Sequence, residues 1–228
     1  MTGIKAEYRK TGVKRYDDNP FIEALPSILE PKGVVSAIGS NVNFSESDKN
    51  ASTTIRSHML VGLMNGFFQP ISRHILLENR LSLMLREGYV GRNIADGNLS
   101  QKLQDGYQRV KNGELLTFRY RDNESTATSL AFIGASGSGK TTTINRILGN
   151  YPQSIYHSKY NFTQIVYLKI DCPHDGSLKS LCMHFFREID RVLNTNYERK
   201  YGQKRHSVET LITLMGHLAN HHAIGLLI

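Results

Sequence analysis

Gly134, Ala135, Ser136, Gly137, Ser138, Gly139, Lys140 and Thr141 fit the pattern G-x-x-x-x-G-K-[ST], and a second threonine, Thr142, follows. The spacing suits one task. Glycines let successive backbone N–H groups turn inward and form a concave nest for an anion at the start of the next helix. A lysine there reaches the outer phosphates of a nucleoside triphosphate, and the adjoining hydroxyl ligates Mg²⁺. The expected ligands are therefore ATP and Mg²⁺, with Gly134 through Thr142 around the phosphates and Thr141 on the metal. Four fixed positions at these spacings arise by chance in on the order of one chain in a hundred of this length.

Other candidates are less specific. Tyr89, Val90, Gly91, Arg92 and Asn93 follow Gly88 in a loop that could cradle an adenine, and a helix C-cap followed by a turn has the same composition. Asp171 ends an expected strand, where a carboxylate could hold Mg²⁺ through water; a turn or cap residue is the alternative. Cys172, His174, Cys182 and His184 form a conceivable zinc set, but Cys182 falls on the apolar face of a helix, as an ordinary buried cysteine does. His217 and His221 stand one helical turn apart without the glutamate of a metalloprotease motif, so a solvated helix end is expected. Arg199, Lys200, Lys204 and Arg205, interleaved with Tyr197 and Tyr201, have the composition of a DNA-backbone contact; a solvated linker has it too.

Periodicity supplies the elements that must hold these groups. A strand over residues 130–133 is expected to enter the glycine loop, and a helix over 141–148 to leave it. A strand is expected at 164–170 and an amphipathic helix over Leu178–Leu193 capped by Ser177, its stripe running Leu178, Leu181, Cys182, Phe185, Ile189, Val192 and Leu193. A helix at 208–220, capped by Ser207, follows with Val208, Leu211, Ile212, Met215, Leu218 and Ala219 inward, and then a final apolar run at 223–228. Upstream, a helix from Pro70 carries Leu77, Leu81, Met84 and Leu85 on one face and ends at Gly88. A helix at 100–111 and a strand at 115–120 come next, while 34–49 reads as a loop and the first thirty residues as extended chain with turns. The order is that of an α/β fold, a parallel sheet with flanking helices.

The chain has 228 residues, 39% of them hydrophobic, enough for a folded core. Its longest apolar runs fall far short of a membrane span. The first residues lack the apolar stretch of a secretory signal, and two cysteines do not make a disulfide framework, so a cytoplasmic location is expected. A net charge of +8 suits polyanionic partners, nucleic acid first.

Residues 19–26, 88–93, 137–142, 151–153, 168–172 with 176–179, and 197–202 with 204–206 together resemble the TnsC family, the AAA+ ATPase regulators of Tn-seven-class bacterial transposons. The resemblance runs in order along nearly the whole chain and is weakest around 34–63. It implies an AAA+ P-loop domain over 67–228, with its nucleotide core at 128–228, preceded by an N-terminal extension over 1–66. It further implies an ATP-dependent switch that assembles on double-stranded target DNA as a ring or filament in the bacterial cytoplasm and links a target-selector protein to the transposase. Tyr89, Val90, Gly91, Arg92 and Asn93 would then lie near the adenine. Family members continue past the last strand into acidic Walker B residues, a sensor, an arginine finger and a lid. Those features are not in this sequence, so an N-terminal portion of such a regulator, or the product of a truncated gene, with little ATP turnover, is expected. A small P-loop kinase with Asp171 near the acceptor, and a non-hydrolysing DNA-binding or interaction fragment, are the competing readings.

Overall fold

The computed structural model describes residues 3–42, 45–96, 128–202 and 206–228. The helix expected at 100–111, the strand expected at 115–120, and Lys204 and Arg205 lie outside the described residues. The chain divides into two compact units that interleave in sequence. One comprises Met1–Ser27, Leu83–Ala131 and Tyr151–Ile228, the other Ile28–Ser82 and Phe132–Asn150.

In the first unit, β1 (Ile4–Lys5) runs parallel to β2 (Ser154–His157), with Ile4 opposite Ile155. Strand β2 turns back antiparallel onto β3 (Phe162–Ile165) to complete a three-stranded mixed sheet. A second, two-stranded sheet pairs β4 (Tyr167–Leu168) in parallel with β5 (Leu226–Leu227). These pairings correct two expectations. The single strand at 164–170 is divided at Val166, where the chain passes from the β2 ladder to the β5 ladder: its N–H donates to the Gln153 carbonyl and its carbonyl accepts the Leu226 N–H. The sheet is not uniformly parallel, because the 154–165 hairpin is antiparallel.

The N-terminal segment is held by a polar chain that leads from exposed Tyr8 to buried His157 and Gln164. The Tyr8 hydroxyl donates to His157 Nδ1 at 3.0 Å, His157 Nε2 donates to Gln164 Oε1 at 2.9 Å, and Gln164 Nε2 donates to the Phe21 carbonyl at 3.1 Å. Phe21 sits on α1 (Pro20–Glu23), where Asn19 caps the Phe21 N–H and proline occupies the first turn, needing no donor there.

The helices α6 (Leu178–Leu193) and α8 (Val208–His221) supply the principal core of this unit. Ser177 and Ser207 cap them by accepting the Ser180 and Thr210 N–H groups. Cys182, Phe185, Phe186, Ile189 and Val192 face inward from α6, whereas Leu178 is exposed. On α8 the buried face is Leu211, Leu214, His217 and Leu218, rotated from the expected stripe so that Ile212 points to solvent. His217 is therefore not on a solvated helix end; it is 6% exposed.

The second unit holds α2 (Pro31–Ile38), α3 (Thr53–Gly66), the start of α4 (Ser72–Val90, whose residues from Leu83 on belong to the first unit) and α5 (Lys140–Leu148). The expected loop at 34–49 thus begins as helix, set by Pro31 at the first helical position. Helix α4 buries Leu77, Leu81, Leu85 and Tyr89 at four-residue steps. It does not end at Gly88. Arg92 Nε donates to the Gly88 carbonyl and Asn19 Nδ2 to the Tyr89 carbonyl, and these bonds satisfy the last helical turn in place of a glycine cap. Among the described residues no helix is long and apolar enough to cross a membrane.

Candidate nucleotide site

The strand expected at 130–133 is not formed. Residues 128–135 carry no regular secondary structure, and among the described residues residues 128–134 make no backbone–backbone hydrogen bond. Ile133 is 89% exposed. Extended propensity alone does not make a strand; a ladder partner is required, and β1, β4 and β5 pair elsewhere.

The loop itself has the conformation its glycines predict. Gly137 and Gly139 adopt φ of +76° and +81°, left-handed backbone that a residue with a Cβ occupies only at a cost of roughly 1–2 kcal/mol. The Ser138 N–H donates to the Ala135 carbonyl at 3.3 Å, closing a turn, and Gly139 then caps α5. Thr143 seats that start: its N–H and its hydroxyl both donate to the Gly139 carbonyl, at 2.9 and 2.8 Å. The N–H groups of the first helical turn, on Lys140, Thr141 and Thr142, have no intrahelical carbonyl to bond, which makes the turn a donor cluster with the positive end of the helix dipole behind it. Lys140 Nζ folds back to donate to the Gly134 and Ala135 carbonyls, each at 2.7 Å. Thr141 and Thr142 are exposed, and the far end of α5 is anchored by buried Ile147 and Leu148. Backbone donors, a lysine ammonium and an exposed hydroxyl fit a polyphosphate with Mg²⁺. The ammonium would exchange two carbonyls for phosphate oxygens, and Thr141 would hold the metal.

The other sequence candidates have different surroundings. Tyr89 is 0% exposed; its hydroxyl donates to the Ala223 carbonyl at 2.8 Å, and burial raises its pKa to about 12. Arg92 lies 4.9 Å over the Tyr89 ring and donates through Nη1 to the Ile224 carbonyl at 3.0 Å. Asn93 Nδ2 donates to the Asp18 carbonyl at 3.1 Å, while Val90 is half-buried and Gly91 exposed. The described side chains of this loop are committed to the packing of the first unit. Sequence reading gave no sign of their partners, Asn19 and the carbonyls at 223–224, which lie about 70 and 130 residues away.

Arg199 and Lys200 are exposed on α7 (Tyr197–Tyr201). This short helix is held by Asp190, whose carboxylate accepts the Tyr197 and Glu198 N–H groups at 2.6 and 2.8 Å. Arg187 pairs with Glu198 at 2.7 Å. Asp171 is exposed, and its carbonyl lies 3.2 Å from His184 Nδ1. Cys172 is exposed and Cys182 buried, with its thiol pKa raised by burial. Among the described residues no three His, Cys, Asp or Glu side chains come together in a way that could hold a metal ion.

Residues 121–228 match the family profile described as an AAA domain, and the glycine loop lies within the matched span. A search of curated proteins found no match.

Proposed function

We propose that this chain, whose residues 121–228 are an AAA-type P-loop ATPase domain, is an ATP-binding regulator of DNA transposition of the TnsC kind. The observation that carries the nucleotide part is local. Two left-handed glycines deliver the chain into α5 at Lys140, with donor N–H groups and Thr141 at its open end. Gly134 through Thr142 hold the phosphates in this reading, and Mg²⁺, when bound, neutralises phosphate charge. The transposition part is supported by the ordered resemblance of segments along the chain. It is supported also by the net charge of +8 and by the exposed Arg199 and Lys200 on a helix held in place by Asp190. Duplex DNA, a target-selector protein, the transposase and further copies of the chain are the partners this reading assigns, in a bacterial cytoplasm.

One experiment tests both parts. Binding of duplex DNA is followed by fluorescence anisotropy across a salt series, with and without ATP·Mg²⁺, beside calorimetric ATP titration. The parent is expected to bind DNA more tightly with ATP and to lose affinity steeply with salt, because each neutralised phosphate releases counterion. Lys140→Ala is expected to weaken ATP binding by about 1.5–3 kcal/mol, the worth of a charge-assisted phosphate contact, and to remove the effect of ATP on DNA binding. Alanine at Arg199, Lys200, Lys204 and Arg205 together is expected to lower both DNA affinity and salt slope. DNA binding indifferent to ATP and to these four charges would overturn the transposition reading. Equal ATP affinity of parent and Lys140→Ala would overturn the nucleotide reading.

A further inference from the structure

The phosphate loop and α5 share their compact unit with Ile28–Ser82, a segment wholly outside the matched AAA residues. Within that unit a side chain of the outside segment reaches the loop. Arg73, the second residue of α4, is exposed, and its Nη2 donates to the Ser138 carbonyl at 3.5 Å.

The neighbouring histidine engages this guanidinium only through Nε. His74 Nδ1 accepts the Ile71 N–H at 3.2 Å, and Arg73 Nε lies 3.4 Å from His74 Nε2. A neutral imidazole has one acceptor nitrogen. The two bonds therefore belong to different tautomers, and neither engages Nη2, the donor that faces Ser138. Burial and the Arg73 charge both lower the His74 pKa, which keeps the ring neutral.

The approach of α4 to the loop is set by an aromatic plate. Phe68 exchanges both backbone hydrogen bonds with Ser40, each at 3.0 Å. His74 stacks on the Phe68 ring at 5.0 Å and 26°. The Arg146 guanidinium, from α5, lies 4.5 Å over the same ring and donates to the Ile38 carbonyl at 3.2 Å. Thus α4 and α5 meet on one ring, and Arg73 is delivered to Ser138 from that fixed point.

The chemistry follows from the peptide plane. In a trans peptide the C=O of one residue and the N–H of the next point in opposite directions. A cation on the Ser138 carbonyl therefore fixes where the Gly139 N–H points, at a residue whose φ of +81° leaves the peptide free to flip. An anion nest needs that N–H turned in and the carbonyl turned out. We infer that Arg73 is a positioning residue of the phosphate site: it holds the Ser138–Gly139 peptide with its N–H toward the bound phosphates, and so makes residues 28–82 part of the nucleotide site. This rests on the nucleotide-binding reading above.

The test uses the whole chain and calorimetric titration with ATP·Mg²⁺ and with inorganic triphosphate. The variants are Arg73→Ala, Arg73→Gln and Lys140→Ala, and thermal unfolding without nucleotide runs beside them. Arg73→Ala is expected to weaken ATP and triphosphate alike by about 3–10-fold, the range of one hydrogen bond of ordinary strength. Arg73→Gln, which keeps a donor, is expected to recover part of the loss, with the nucleotide-free unfolding midpoint unchanged in both. Parent-like affinity of Arg73→Ala while Lys140→Ala binds weakly would overturn this inference alone. A fall in the nucleotide-free midpoint that tracks the lost affinity would overturn it in favour of a folding role. Failure of the parent to bind either ligand would overturn it together with the reading beneath it.

Discussion

In the layer built by α6 and α8, Phe185, Phe186, Ile189, Leu211, Leu214 and Leu218 are buried against one another, beside Ile165 and Leu168 from the strands. Around the phosphate loop the picture reverses. Leu130, Phe132 and Ile133 are exposed, and a Cβ built at Gly137 or Gly139 meets nothing within 4 Å. The first region is defined by what its side chains touch. The second is defined by what its backbone does, through left-handed φ values and hydrogen bonds from Lys140, Thr143 and Arg73 to its carbonyls. The groups that bind an anion are N–H donors, which packing would cover. A ligand loop defined by backbone conformation keeps its donors open and leaves stability to be supplied elsewhere.

The largest effect should therefore come from the packed layer. Phe186 is fully buried, with Phe185 edge-on at 5.9 Å and Tyr201 at 5.8 Å. Phe186→Ala removes the ring and leaves a cavity, an expected loss of about 3–5 kcal/mol in urea unfolding. Lys140→Ala in the same assay without nucleotide is expected to change stability by no more than about 0.5 kcal/mol, as surface substitutions do. A reversed order would break the contrast between the two regions.

The same contrast governs what could be read from the sequence. The bounds of α6 and its Ser177 cap were legible because sixteen residues of amphipathic pattern lie between local signals. The glycine loop was legible because its backbone demands particular residues at fixed spacing. The small strands were not. β1 is two residues long and pairs with Ile155 and Tyr156, some 150 positions away, so no local pattern could reveal it. The division at Val166 follows from a change of ladder partner, from Gln153 to Leu226, and the helical ending past Gly88 from a local bond of Arg92 and a distant one of Asn19, none of them marked by a sequence pattern. Arg73 gave no signal because its role depends on where α4 begins. The rotated face of α8 was missed because apolar residues stand on both of its sides, and packing took Leu214 and His217 inside and left Ile212 out.

Those histidines give the next effect. Burial, then His221 and Lys200, hold the pKa of His217 down to about 4. Burial, then His221 and His217, hold that of His222 to about 3, beside a 3.0 Å contact between its Nε2 and the Tyr197 hydroxyl. An unfolded histidine titrates near 6.5. As pH falls below that value the unfolded chain takes up protons that the folded chain refuses, so stability is lost from about pH 6.5 downward and levels off only below the folded values. Between pH 7 and pH 5 the expected loss is roughly 1–2 kcal/mol for each of the two, allowing for residual solvent screening. Urea unfolding at a series of pH values reads it, and His222→Gln should flatten the curve. A pH-independent midpoint over this range would show that the helical layer tolerates charge and is less closed than its packing indicates.

The smallest effect on stability should come from the loop, although its effect on binding should not be small. Gly137 has φ of +76° and open space where a Cβ would stand, so Gly137→Ala meets no steric clash. What remains is the conformational penalty of a left-handed alanine, roughly 1–2 kcal/mol. The loop can avoid even that by relaxing to negative φ, because nothing packs on Gly137. Relaxation would turn neighbouring N–H groups out of the nest. The expected result is an unfolding free energy lowered by less than that penalty, together with an ATP affinity that falls further than stability does. Calorimetry and urea unfolding on the one variant measure the two losses separately. If Gly137→Ala binds ATP as the parent does, the left-handed backbone is not what aims the donors. If it unfolds the chain as Phe186→Ala does, the loop is part of the packed structure and the two regions are not built on different terms.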